Sequence, residues 1–292
     1  WEINVDEETY CKYESLKDPF AESIRNKIML NSDGEKCFSL SDKKCPFLNH
    51  QKLCDIHIAY GEDFTPAVCR QHPCFIEEYD GFTEVSLSLS CPGAVSLIIC
   101  DSANHGTYSE PVYTGNNEVL HKLIESRNKI LCSEDIDFIC LQNIILDTAA
   151  DDLLDIDLFY VQEHSVIDVQ LLKNFLHILK NKCVILTDEW NQYIETSEFF
   201  EITDSELDDY ILKINDSIFD VCRYFVYRYY LKAVNDIDIY SVALFIIISC
   251  RICAFISLAC DKSFTEICRL YSKEIEHSTD NTDLLISYLD DI

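Results

Sequence analysis

After residue 115 the chain contains no glycine and no proline. Its six glycines (34, 61, 81, 93, 106, 115) and six prolines (19, 46, 66, 73, 92, 111) all come earlier. These residues punctuate turns, so the sequence predicts an irregular, loop-rich part over 1–115 and a helical part over 116–292, with the boundary near "PVYTGNN" (111–117). The same lack excludes a glycine-rich, strand-to-helix nucleotide loop from the second part, and none follows a strand in the first. Cations are scarce too. Against 52 Asp and Glu there are only 23 Lys and Arg, a formal net charge of -29. That argues against nucleic acid as a partner and for a basic, lysine-bearing one. No uninterrupted span suits a membrane: the most apolar run, "SVALFIIISCRICAFISLAC" (241–260), carries Arg251 near its centre and is expected to be a buried helix. No secretory leader is visible, and because the first residue is Trp1 rather than Met, the chain is expected to be a piece of a longer one.

Cysteine, by contrast, is plentiful at 16 residues. A chain of 292 residues that is 48% hydrophobic can build a core without disulfide staples, so reduced thiols in a cytoplasmic setting are expected. Cys100, Cys140, Cys222, Cys250, Cys253 and Cys260 lie in apolar surroundings and are expected to pack as small hydrophobes.

The fold class expected is mainly α, with small β-hairpins in the cysteine-rich part and a helical bundle of six to nine helices after it. "CPFLNHQKLC" (45–54) reads as two extended arms around a polar turn, and "CFIEEYDGFTEVSLSLSC" (74–91) as a hairpin closed by Asp80-Gly81. Cys91 precedes Pro92 at the start of a helix. "TDSELDDYILKINDSIFDVCRYFVYRYYLKAV" (203–234) opens with Thr203 and Glu206 in capping-box spacing and continues as one long amphipathic helix. "DKSFTEICRLYSKEIEHS" (261–278) repeats the scheme with Ser263 and Glu266, turning Phe264, Ile267 and Tyr271 inward.

Cys45, Cys54, Cys69 and Cys91 each border a turn or helix end, where a sulfur can be aimed inward to hold a metal. Cys91 at a helix N-terminus would have its thiolate favoured by the helix dipole. No tight CxxC pair is present, so spacing alone leaves packing thiols as the alternative. His57 and His72 could supply nitrogen ligands, and Cys74 is a further candidate.

The ordered segments "WEINVD", "CPFL" (45–48), "LCDIH" (53–57), "GED" (61–63), "CRQHP" (69–73) and "LSCP" (89–92) resemble the flagellin lysine-N-methylase family, FliB. At the far end "VYRYYLKAV" (226–234) and "YSKEIEHSTDN" (271–281) resemble the family's C-terminal signature, so the likeness extends over essentially the whole chain. It implies methyl transfer from S-adenosylmethionine to flagellin lysines. It also implies a cysteine-ligated iron–sulfur cluster, of 4Fe-4S type, with zinc as the alternative, completed by a further cysteine group upstream of Trp1. Lys273 stands where the family tends to have Arg, and Cys74 where a basic residue is common.

Glu274, Ser278 and Asn281 continue the inner face begun by Ile267 and Tyr271. Glu274, Tyr271 and His277 are therefore the candidate catalytic residues, and Tyr227, Arg228, Ser278 and Asn281 the candidate cofactor-binding ones. The competing expectation for Glu274 is a cap or salt bridge to a neighbouring helix. At the level of the whole protein the alternatives are a non-catalytic, metal-stapled module that binds a basic partner, and a cluster-dependent redox or radical enzyme.

Overall fold

The structure is a computed structural model describing residues 3–41, 44–99, 113–155, 167–235 and 238–290. Trp1, Cys100 and the first two residues of the expected 111–117 boundary lie outside the described residues. The chain folds into two compact units, Trp1–Phe75 and Ile76–Ile292. The division falls within a strand, well before the boundary that glycine and proline content suggests. The reason is that the Asp80-Gly81 hairpin carries Glu77 and Glu84, which pair with Arg228 and Arg127 of the helical unit.

The N-terminal unit is built from short pieces. Helices α1 (Glu7–Ser15) and α2 (Pro19–Arg25) begin at Asp6 and Asp18, whose carboxylates accept from the Thr9 N–H (2.9 Å) and the Ala21 N–H (3.0 Å). Strands β1 (Ile28–Leu30) and β2 (Lys36–Phe38) pair antiparallel, Met29 opposite Cys37. Helices α3 (Asp55–Tyr60) and α4 (Ala67–Gln71) follow. Their packing centres on Val5, Tyr13, Ile24, Phe38, Phe47 and Ile56. Composition did not foreshadow these helices, which are too short to show a hydrophobic period and depend on caps and tertiary bonds.

In the larger unit, β3 (Cys74–Tyr79) pairs with β4 (Phe82–Leu87) across Asp80-Gly81, where Gly81 has φ +87, as a two-residue turn of this kind needs. Then come α5 (Pro92–Ile99), α6 (Glu118–Leu131), α7 (Phe138–Asp155), α8 (Val169–Asn181) and α9 (Asp188–Glu198). The expected single helix over 203–234 is broken: α10 (Asp204–Lys213) ends at Ile214 and α11 (Asn215–Tyr229) starts anew. The Asn215 side chain there accepts from the Phe138 N–H at 2.8 Å, capping α7. The Thr203–Glu206 capping box is complete. At Ser263 only half of the expected box forms, because Glu266 turns toward Tyr193.

Helix α12 (Ile239–Cys260) is apolar on every side and almost wholly buried among α7, α9, α11, α13 (Phe264–Tyr271) and α14 (Thr279–Asp290). By length and composition it could cross a membrane, yet it forms the core of this unit. Each fully buried Leu, Ile or Phe on it contributes roughly 1.5–3 kcal/mol. Arg251 is accommodated by Asp208 Oδ1 (2.6 Å) and Gln142 Oε1 (3.0 Å). Cys222, Cys250 and Cys253 are fully buried as expected and Cys260 is half-buried, whereas Cys140 is exposed, its thiol beside Asp137. Every cysteine among the described residues is a free thiol.

Candidate functional site

Three of the four expected metal ligands line a single cleft of the N-terminal unit. The "CPFLNHQKLC" segment folds back on itself because Asn49 organises its turn. The Asn49 side-chain oxygen accepts from the Gln51 and Leu53 N–H groups, Lys52 takes φ 61, and Leu48 bridges to Cys54. Cys54 then sits at the N-terminal end of α3, where its sulfur caps nothing. Cys69 comes from α4, which is fixed by Asp6 accepting from the Ala67 N–H at 2.8 Å and by Arg70 donating to the Thr65 carbonyl. Cys45, Cys54 and Cys69, with His57 and His72, line one cleft of about 380 Å³.

The thiols of this cleft interact. Although Cys69 as a residue is exposed, burial of its sulfur, followed by the neighbouring Cys45 and Cys54, pushes its pKa up to about 11. Burial likewise raises Cys45, and it lowers His72. These groups are held as neutral thiols and imidazole, so a bound cation would have to displace protons from the sulfurs. Three thiols and two imidazoles form a soft donor set suited to zinc or iron, and the cleft has room for either. Among the described residues, however, no three Cys, His, Asp or Glu side chains are brought to a common point as ligation requires. Cys91 stands immediately before α5 in the other unit, and Cys74 is half-buried away from the cleft lining.

The seven C-terminal candidates are distributed over several contacts in the helical unit. Fully buried Glu274 accepts from the Leu186 N–H (2.7 Å) and the Thr187 hydroxyl (2.5 Å), and Thr187 is the N-cap of α9. Asn281 accepts from the Val184 N–H and donates to the Val184 and Glu274 carbonyls. Together the two clamp the α8–α9 connection, which is the capping role weighed for Glu274. The Tyr271 hydroxyl meets that of Ser249 at 2.7 Å in the core. Ser278 accepts from the Asn281 N–H at the start of α14. The Arg127 guanidinium lies 4.8 Å from the Tyr227 ring, and Arg228 pairs with Glu77. His277, half-buried, places Nε2 2.8 Å from Ser88 Oγ and 3.0 Å from Ser90 Oγ.

The residue that sequence reasoning missed is Glu276. After α13 the chain makes a π-turn over Ser272–Glu276. In an α-helix, residues 274 and 276 would point about 200° apart; the wider turn buries both. Glu276 accepts from the Tyr224 hydroxyl (3.0 Å) and the Tyr229 hydroxyl (3.2 Å), and burial raises its pKa. A second buried carboxylate, Asp152, accepts from Ser126 (2.8 Å) and Tyr230 (3.0 Å). Tyr224 and Tyr229 of α11, and Tyr230 just after it, are thus occupied by carboxylates of the protein itself. The available signal was the "EIE" spacing beside a row of buried phenols.

Over 107 residues, 35% of its length, the chain is 30% identical to the flagellar biosynthetic protein FliU of Salmonella muenchen, covering 63% of that protein. Over a stretch of the same length it is 29% identical to the Lysine-N-methylase of Salmonella typhimurium and to that of Salmonella choleraesuis, covering 27% of each. The chain therefore spans less than two thirds of each of these relatives, and the measured similarity reaches about a third of the chain rather than essentially all of it. No family model matches, and no solved structure does. What the comparison establishes is a distant relationship to Lysine-N-methylase and FliU.

Proposed function

We propose that the protein is a methyltransferase that moves a methyl group from S-adenosylmethionine to lysine side chains of flagellin in the cytoplasm, and that Cys45, Cys54 and Cys69 hold a metal centre in the N-terminal unit. The observation that carries this reading is the relationship to Lysine-N-methylase. The thiol-lined cleft supports its metal part, and the free thiols of the described residues suit a reducing compartment. The charge of -29 favours an encounter with a basic, lysine-bearing protein.

Displacement at a sulfonium methyl requires a neutral amine aligned with the S–CH3 bond and shielded from water. A metal bound by the three thiols, an iron–sulfur cluster or zinc, would fix the loops of the N-terminal unit around it.

Incubation with methyl-labelled S-adenosylmethionine and monomeric flagellin tests the reading, with labelled lysine as the expected product. The second reading, a binding module without catalysis, is favoured by the engagement of Glu274, Tyr271 and Asn281 in buried structural bonds. It predicts that flagellin is retained while its lysines stay unlabelled. Visible absorption and metal analysis after anaerobic purification decide the centre: a coloured, iron-loaded sample supports the cluster, and a colourless, zinc-loaded one overturns it.

A further inference from the structure

The small sheet of the N-terminal unit is covered on one side and open on the other. Beyond β2, Val5 donates to the Lys36 carbonyl (2.8 Å), Phe38 donates to the Ile3 carbonyl (3.0 Å), and Asn4 bridges antiparallel to Cys37. Among the described residues β1 has no strand beside it except β2. The alternation of the ladder fixes which of its groups are open. The Lys27 carbonyl accepts from the Ser39 N–H (2.7 Å) and the Asn31 N–H donates to the Glu35 carbonyl (2.9 Å), so Lys27, Met29 and Asn31 bond toward β2, and the main-chain groups of Ile28 and Leu30 point outward. The side chains along this edge are apolar and uncovered: Met29 is 52% exposed on one face of the strand and Leu30 62% on the other. No proline or charge interrupts Ile28–Leu30 to blunt the edge. Exposed Lys27 precedes these residues and exposed Asp33 follows them. A strand that reads basic, apolar, acidic is complementary to itself when turned end for end.

We propose that β1 pairs antiparallel with β1 of a second copy of this chain, about a twofold axis at Met29. In that register Ile28 of one copy stands opposite Leu30 of the other, both with outward main-chain groups, and each such pair exchanges both of its N–H···O bonds. Met29 meets Met29 of the second copy as a non-hydrogen-bonded pair, where side chains approach closest. On the opposite face each Leu30 packs against Ile28 of the second copy, which covers both leucines. Lys27 comes opposite Asn31 of the second copy, with Asp33 of that copy diagonal to it and within reach of a long side chain. The contact is isologous and closes on itself, so it makes a dimer and not a fibre. The unit that carries β1 allows the approach: residues 1–75 hold 13 Asp and Glu against 9 Lys and Arg, so most of the acidic excess of the chain lies outside it. An edge of three residues makes a small interface and therefore a weak, reversible dimer. The pairing does not depend on the methyltransferase reading.

Sedimentation of the whole chain over a concentration series tests this. The mass of the wild-type protein should rise with concentration from 33.8 kDa toward twice that value. Met29→Lys and Met29→Glu each set like charges against one another on the axis and should each weaken the dimer on the order of tenfold. Mixed in equal amounts the two variants should restore it, because Lys then meets Glu. Met29 is exposed, so neither change disturbs the core. Hydrogen exchange reads the same contact residue by residue: as concentration rises, the Ile28 and Leu30 N–H groups should slow, whereas that of Met29, already bonded toward β2, should change little. A wild-type mass that stays at 33.8 kDa at every concentration overturns the proposal. So does a dimer that both variants retain, and so does a mixture that stays monomeric after each variant alone has lost the dimer.

Discussion

The two units solve the problem of stability in opposite ways. The helical unit surrounds an apolar helix with others and gives its buried charges partners, Glu84 for Arg127 and the partly exposed Asp208 for Arg251. The N-terminal unit spans only Trp1–Phe75, centres on six buried side chains, and leaves Leu48, Leu53, Ile58 and Val68 exposed around its thiol-bearing turns. A core of that size supplies only about 3–5 kcal/mol, so a metal or a cross-link would add substantially to it. The contrast teaches that cysteine has two uses in one chain. In α11 and α12 it fills space, whereas around the cleft it sits at turn and helix ends where apolar packing gains little.

The largest effect should come from emptying the self-sufficient core. Trp190→Ala removes a ring packed against Tyr271 and is expected to cost about 3–5 kcal/mol of helical-unit stability, read by denaturant unfolding. Arg127→Ala leaves Glu84 as a buried, unpaired carboxylate and should cost about 3 kcal/mol or more, most of it recovered when Glu84→Leu is added. In the N-terminal unit the response should follow the metal. Cys54→Ser or Cys69→Ser should weaken metal retention on the order of 10–100-fold and open that unit to hydrogen exchange while the helical unit melts unchanged. Unchanged metal content in both variants would refute the ligand assignment, and a chelator that loosens both units equally would erase the contrast.

The smallest effect is one of pH. Burial raises the Glu276 carboxyl above its ordinary 4.5, so the folded state holds that proton more tightly than the unfolded one. Its contribution to stability is full below 4.5 and is lost as pH rises through the folded value. Glu276→Gln carries no such proton, so the stability of the variant relative to the parent should improve from acid to mildly alkaline pH. A difference that stays constant over that range would show that Glu276 does not titrate in the fold.

Much of this arrangement was legible in the sequence, for identifiable reasons. The α12 core, the Asp80-Gly81 hairpin and the Thr203–Glu206 box are local patterns with local causes, and all three are present. Glu274 and Asn281 are buried as their spacing suggested, although a π-turn and the separate helix α14 place them rather than one continuous helix. The break at Ile214 was not legible, because it depends on Asn215 capping a helix 77 residues away in sequence. Nor was the burial of Glu276, which needs the extra residue of a π-turn. That Cys45, Cys54 and Cys69 line one cleft accords with their positions at chain reversals, although no three ligand side chains converge among the described residues. That Cys91 belongs to the other unit was hidden, because the loop-rich composition runs on past the point where the units divide.

The position of α12 within the chain has a consequence for synthesis. Two of its covering helices, α13 and α14, are made after it, so a ribosome exposes a largely apolar segment of 22 residues before its shelter exists. A chain interrupted at that moment would offer bilayers, chaperones and its own copies a sticky rod, and its survival would depend on how fast translation finishes.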